Sequence, residues 1–166
     1  TNTDLCNLDE ALINRFDYDS DYGTVLNRFL IQAAIKYPLT VYGTGEQTRA
    51  FIHIKDSVKC IEIALDNPPT KKEKVKIFNQ MTETHRLIDL AKRIQTLTGA
   101  DIGHIDNPRN EAKSNELKAS NQCFIDLGLE PITLANGLMT EIIDIAEKYK
   151  ERIDTSKIPP LSFWKV

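Results

Sequence analysis

Segments with the apolar spacing of a helix alternate along this chain with short runs of strand-forming residues, and that alternation limits the fold more than any other feature. Between Thr24 and Tyr37, Val25, Leu26, Phe29, Leu30, Ala33 and Ala34 fall at the i, i+3, i+4 intervals of one buried helix face, and Pro38 ends the segment. Leu39–Tyr42 and Arg49–Ile54 read as strands on either side of Gly43-Thr44-Gly45-Glu46-Gln47, forming either a β-hairpin or two strands separated by an excursion loop. Asp56 is placed to cap a second helix reaching Leu65, with Val58, Ile61 and Leu65 inward, and Pro68-Pro69 stops it. A strand at Val75–Asn79 follows, then a helix carrying Leu87, Leu90, Ala91, Ile94 and Leu97 and closed by Gly99. Ile102–Ile105 predicts a short strand, Asn107 to Asn121 a polar loop, and Leu134, Leu138, Ile142, Ile145 and Tyr149 a last long helix. From Asp154 onward, Pro159 and Pro160 predict an extended tail docked by Phe163 and Trp164. The pattern predicts one α/β layered domain over residues 1–166, without repeats or an internal boundary.

The length of 166 residues, 41% of them hydrophobic, is enough for such a core. With 24 acidic against 21 basic residues and a net charge of -3, nothing favours nucleic acid or an anionic membrane, both of which want a clustered basic surface. No apolar run approaches the roughly 18 residues that span a bilayer, and residue 1 opens no basic-then-apolar leader, so a soluble, cytoplasmic protein is expected. Cys6, Cys60 and Cys123 form no Cys-x-x-Cys pair and have no histidine at metal-ligand spacing; no metal is expected, and Cys60 reads as a small core residue. The chain begins in a polar stretch without an initiator Met, so whether it is a whole protein or a piece falls to its motifs.

Each local motif has a plain structural reading. Asp17-Tyr18-Asp19-Ser20-Asp21 begins like a calcium loop, but Tyr22 replaces the glycine and Arg28 the final glutamate, which leaves these acids to cap the following helix. Gly43-Thr44-Gly45 lacks the third glycine of a dinucleotide fingerprint, because Thr48 stands there and a strand follows. Arg49, just after that turn, is placed to reach an anion with paired donors; taken alone it reads as a surface salt-bridge residue. Pro108-Arg109-Asn110-Glu111 pairs a cation with an acid in a loop, a combination suited to a phosphate and a sugar hydroxyl. His53, His85 and His104 have no nucleophile motif beside them, and no catalytic constellation is evident. Lys71–Lys76 reads as a solvated loop.

Taken together, Asn14-Arg15-Phe16-Asp17-Tyr18-Asp19, Gly23-Thr24-Val25-Leu26-Asn27-Arg28-Phe29, Pro38-Leu39-Thr40-Val41-Tyr42-Gly43 with Gln47-Thr48-Arg49, Phe78-Asn79-Gln80-Met81-Thr82-Glu83 and Asn107-Pro108-Arg109-Asn110-Glu111 resemble the C-terminal half of the UDP-sulfoquinovose synthase family. That family is a branch of the extended short-chain dehydrogenases, the NAD-dependent epimerases and dehydratases of nucleotide sugars. The third stretch supports the superfamily, and the first and fourth point to the sulfoquinovose branch, whose product leads to sulfolipid.

The resemblance implies an extended short-chain dehydrogenase fold of Rossmann type, represented here by its substrate-binding part without the N-terminal dinucleotide-binding half. In the family that half supplies the NAD fingerprint and a Tyr-x-x-x-Lys pair, and no tyrosine of this chain has a lysine four residues on. NAD is thus expected in the parent enzyme and is not expected to bind this chain tightly. The implied parent reaction converts UDP-glucose and sulfite to UDP-sulfoquinovose through a 4-keto intermediate, and the chain alone is expected to be inactive.

By the same resemblance Asn27 and Arg28 face the sugar diphosphate, Thr40, Val41 and Tyr42 lie along the uracil with main-chain groups, and Gln47 belongs to the site. Arg49 and Arg109 clamp the diphosphate, and Glu111 accepts from the ribose hydroxyls. The expected partners are UDP-glucose or a related UDP-sugar and the missing N-terminal half, with exposed apolar surface driving a non-native homo-oligomer. Two alternatives stay open: a stand-alone nucleotide-sugar-binding or scaffold module, and a fragment of another NAD-dependent epimerase or dehydratase.

Overall fold

The computed structural model describes residues 18–19, 23–107, 112–135 and 139–158. Helix α1 (Val25–Ala34) starts where the Thr24 hydroxyl accepts from the Asn27 N–H, and it leads through Pro38 into β1 (Leu39–Tyr42), all four residues of which are buried. Strand β2 (Thr48–Phe51) follows the glycine turn, then α2 (Ile54–Asp66), β3 (Glu83–Arg86), α3 (Leu87–Thr98) and β4 (Ile102–Ile105). A short helix α4 (Gln122–Asp126) and α5 (Met139–Lys148) complete the longer elements. Gly99 ends α3 in the left-handed region at φ 73°, which glycine reaches without strain.

Of the two connections considered for β1 and β2, the excursion is the one formed. The two strands do not pair: β1 lies parallel to β4, with Leu39 opposite Ile102 and Tyr42 opposite Ile105, while β2 lies antiparallel to β3. A parallel pair needs a long crossover, and here the chain between β1 and β4 contains β2, α2, β3 and α3. Gly45 takes φ 74°, and a Cβ there would stand 2.6 Å from Val41 Cγ1 and 3.0 Å from Ile88 Cβ. This glycine lets the turn close against the start of α3, whose Ile88 N–H donates to the Gly45 carbonyl at 2.9 Å.

The larger core cluster joins Phe29 and Leu30 of α1, Leu39 and Val41 of β1, and Leu90, Ala91 and Ile94 of α3, closed by Leu134 and Met139. On the other side of α1, Ile31 and Ala34 meet Ala146 of α5. Inside the α1–β1 interface Gln32 is fully buried with both amide atoms used: Nε2 donates to Thr40 Oγ1 at 2.8 Å, and Oε1 accepts from the Thr40 N–H at 3.0 Å.

Four expectations are corrected. The inward face of α2 is Asp56, Cys60 and Ile63; Val58, Ile61 and Leu65 point outward. The cap of α2 is His53, whose Nδ1 accepts from the Lys55 N–H at 3.1 Å, whereas Asp56 is a buried tertiary acceptor. Residues 75–79 run without forming a strand, because no strand among the described residues pairs with them; a strand lies at Glu83–Arg86 instead. The last long helix is described over Met139–Lys148, and instead of an extended start to the tail Thr155–Lys157 forms a single turn of tight helix capped by Asp154, whose side chain accepts from the Ser156 N–H. Leu138, Pro159, Pro160, Phe163, Trp164 and most of the Asp17–Tyr22 stretch lie outside the described residues.

Cys60 packs with Ile63, Phe124 and Leu129 in a second core cluster, and burial, with the Asp56 carboxylate adding, pushes its thiol above the ordinary cysteine range. The two faces of α2 give a direct test. Ile63→Ala is expected to cost about 2–5 kcal/mol in urea unfolding and Ile61→Ala within about 0.5 kcal/mol. Equal losses at the two positions would contradict the assigned inner face.

Candidate functional site

Four loops and element ends surround a cleft of about 620 Å³. One wall is the start of α1, from Gly23 to Arg28, with Tyr42 at the end of β1 beside it. The floor is Arg49, Ala50 and Phe51 of β2 with Glu83 of β3; the β2–β3 register sets Arg49 opposite His85 and Phe51 opposite Glu83, so these four side chains share a face. Ile52, His53 and Ile54 bring the start of α2 to the rim. The last wall is Ile132 and Leu134.

Arg28 is held firmly. It is 6% exposed, donates through Nη1 to Tyr42 Oη at 3.0 Å, points Nη2 at the Thr40 carbonyl at 3.5 Å, and lies with its guanidinium carbon 4.5 Å from the centre of the Tyr42 ring. Helical spacing makes this possible: Arg28 and Gln32 are one turn apart on α1 and reach alternate residues of β1. Arg49 is half-buried on β2, with Nη1 donating to its neighbour's carbonyl at 3.2 Å. Two guanidinium groups and two helix starts, those of α1 and α2, therefore meet in one cleft, a combination that favours an anionic ligand.

Two carboxylates fix the wall opposite. Asp56 Oδ2 accepts from the Ile132 N–H at 2.8 Å and from Thr82 Oγ1 at 3.3 Å. Glu83 Oε1 accepts from the Leu134 N–H at 2.6 Å, while Oε2 sits 2.7 Å from His85 Nε2. Residues 132–134, far away in sequence, are thus pinned to α2 and β3 by charge-assisted bonds.

Of the residues expected at the site, the cleft gathers Asn27, Arg28, Tyr42 and Arg49. Thr40 and Val41 are core residues outside the lining; the Thr40 N–H, expected along a base, is already bonded to Gln32. Gln47 is also outside the lining, 1% exposed, and its Oε1 has no hydrogen-bond partner. Arg109 and Glu111 lie outside the described residues. Sequence reasoning misses Glu83, Thr82, His53, Ile132 and Leu134 as lining residues; Thr82-Glu83 carries a signal in the sequence only as part of a family stretch. The glycine turn is consumed by packing on α3, so the described residues build no phosphate cradle for a dinucleotide. No group of three or more histidine, cysteine or acidic side chains suited to a metal occurs among them.

Residues 12–79 match the NAD dependent epimerase/dehydratase family model. A chloroplastic UDP-sulfoquinovose synthase of Spinacia oleracea is 43% identical over 94% of this chain and 33% of its own length. Over nearly its whole length the chain is thus similar to members of the NAD-dependent epimerase/dehydratase family. A UDP-sulfoquinovose synthase of Sulfolobus acidocaldarius is another relative, 33% identical over 95% of this chain and 42% of its own length. Solved members share the fold at lower identity. They include a UDP-glucose 4-epimerase of Thermotoga maritima with UDP-glucose (TM-score 0.62, 19% identity, 79% of this chain and 42% of that one). A UDP-glucuronic acid 4-epimerase of Bacillus cereus with UDP-glucuronic acid and NAD is similar (TM-score 0.59, 22% identity, 75% of this chain and 40% of that one). The α/β expectation and the family resemblance both hold, and the chain spans about a third of the spinach relative's length. No helix among the described residues is long and apolar enough to cross a membrane. The spinach relative is a chloroplastic form and lends nothing to the cytoplasmic expectation.

In this chain Glu83→Ala leaves the Leu134 N–H without its acceptor, a loss of about 1–3 kcal/mol. Hydrogen exchange at the Leu134 amide is expected to accelerate roughly tenfold to a hundredfold, and Glu83→Gln, which keeps an acceptor oxygen, to change it far less. Unaltered exchange in Glu83→Ala would remove the carboxylate from its anchoring role.

Proposed function

We propose that the cleft binds the nucleotide diphosphate of a UDP-sugar, and that the chain supplies the nucleotide-sugar side of an NAD-dependent enzyme of the UDP-sulfoquinovose synthase type. The convergence of Arg28 and Arg49 with the starts of α1 and α2 carries the reading. Planar guanidinium groups pair bidentately with phosphate oxygens, and helix starts add unpaired N–H groups and partial positive charge.

In this reading Arg49 is the more adaptable phosphate ligand, because Arg28 already braces Tyr42 and Thr40 and presents a pre-positioned charge. Asn27 faces the same space from α1, and Tyr42 borders it with an aromatic ring. Arg109 and Glu111, outside the described residues, are assigned the second diphosphate contact and the ribose hydroxyls; Thr40, Val41 and Gln47 support the site from behind. The proposed substrate is UDP-glucose, which with sulfite gives UDP-sulfoquinovose and water. The redox steps need a dinucleotide fingerprint and a Tyr-x-x-x-Lys pair that these 166 residues do not contain, so the chain alone is expected to bind without turnover.

Calorimetric titration with UDP and a panel of UDP-sugars tests this. UDP is expected to bind, and Arg49→Ala and Arg109→Ala each to weaken it by roughly tenfold to a hundredfold, the worth of a charged hydrogen bond; exposed Arg93→Ala serves as the unaffected control. Absence of UDP binding at millimolar concentration, or binding indifferent to both arginines, would refute the site. Turnover of UDP-glucose and sulfite with NAD by the chain alone would refute the division of labour.

A further inference from the structure

Strand β2 pairs with β3 along one edge, and the opposite edge carries no strand among the described residues. Alternate residues of an antiparallel strand turn their main-chain groups to its partner. The Gln47 and Phe51 carbonyls accept from the N–H groups of Leu87 and Thr82, the residues that flank β3. Thr48 turns its own groups the other way, and there a side chain stands in for a strand. Asn115 Oδ1 accepts from the Thr48 N–H at 2.8 Å, and Asn115 Nδ2 donates to the Thr48 carbonyl at 3.3 Å, a two-point pairing across 67 residues. The same carbonyl holds the next residue. Arg49 Nη1 donates to it at 3.2 Å, so one oxygen with two lone pairs accepts from both Asn115 and the guanidinium. Arg49 lines the cleft, whereas Asn115 stands outside it.

No core contact explains where Asn115 sits. Residues 112–120 are exposed throughout and belong to no helix or strand, and Asn79 Nδ2 tethers their far end by donating to the Ser120 carbonyl at 2.9 Å. Ordering such a segment costs backbone freedom that apolar burial does not return. What the segment gains at Asn115 is a hold on one peptide group, the one beside the adaptable cation of the cleft.

We infer that Asn115 is a positioning residue for Arg49: by fixing the plane of the Thr48 peptide it fixes the carbonyl on which the guanidinium leans, and so sets the direction in which Arg49 meets a diphosphate. The inference rests on the reading of the cleft as a nucleotide-diphosphate site. Asn115 touches no ligand in this role. Without it the Thr48 N–H and carbonyl turn to water on an unpaired edge, and the oxygen under Arg49 moves with the peptide. A guanidinium placed before its ligand arrives gives up less freedom on binding than one that must be ordered then, so the effect of Asn115 is read in affinity and passes through Arg49. A plain edge cover, which blocks strand addition and does nothing else, makes the opposite forecast: affinity indifferent to Asn115.

The test follows UDP binding to the whole chain by NMR titration for Asn115→Ala and Arg49→Ala, singly and combined, alongside hydrogen exchange at the Thr48 amide without ligand. The side chain is exposed, so Asn115→Ala is expected to leave the circular dichroism unchanged. Exchange at Thr48 should accelerate about tenfold, and UDP affinity should fall roughly threefold to tenfold, the worth of a neutral hydrogen bond. In the Arg49→Ala background the same substitution is expected to alter affinity by less than about twofold, because the residue through which it acts is gone. Unaltered exchange at Thr48, affinity indifferent to Asn115→Ala, or an equal loss in both backgrounds would each overturn the role. A wild-type chain that binds no UDP at millimolar concentration refutes the nucleotide site and this role with it. Binding that needs Arg49 but ignores Asn115 refutes the positioning role alone, so the two failures are distinguishable.

Discussion

The cleft depends on how one buried amide is satisfied. Gln32 sits in the α1–β1 interface with no access to solvent, and an unpartnered amide there would cost several hydrogen bonds' worth of desolvation. Thr40 answers it with both its hydroxyl and its main-chain N–H, a two-point lock that fixes the height of α1 on β1. Apolar contacts alone tolerate sliding; this pair does not. One turn earlier on the same face the lock brings Arg28 onto Tyr42, so the cation at the cleft is placed by the same interface that closes the core.

The other walls are built over long sequence separations. Asp56 and Glu83 lie far from Ile132 and Leu134 in the chain, yet each carboxylate accepts one of their amide protons. A loop held by main-chain bonds to two acids keeps its shape without belonging to a sheet, and it carries two apolar side chains to the cleft. Glu83 has a second consequence. It places a carboxylate on the floor that also holds Arg49, with its Oε2 2.7 Å from Nε2 of His85, the residue opposite Arg49.

Elements whose signal is local were legible in the sequence. The spacing of α1, the buried run of β1, the glycine stop of α3 and the strand at 102–105 are each written within a dozen residues. Three features were not. Strand β3 is Glu-Thr-His-Arg, polar in every position, and becomes a strand only because β2 lies beside it. Segment 75–79 has the strand pattern and lacks a partner, so propensity misled in the opposite sense. For α2, periodicity revealed a stripe at Val58, Ile61 and Leu65 but could not say which side of the helix was the core, because both sides carry apolar residues. At the site, arginines after a turn or at a helix start announced themselves, whereas Gln32, Asp56 and Glu83 act through contacts across 8 to 76 residues that no window contains.

These failures share a cause with the chemistry. Recognition of a nucleotide diphosphate asks for positive charge, helix starts and rigid placement, all of which a single layer of α/β structure can supply from its own contacts. The first residues of α2 line the cleft, its inner face packs in the second core cluster, and its outer stripe is exposed among the described residues. Because α2 carries apolar residues on two faces, its periodicity alone leaves the inner side undecided, and only the contacts of Cys60 and Ile63 decide it.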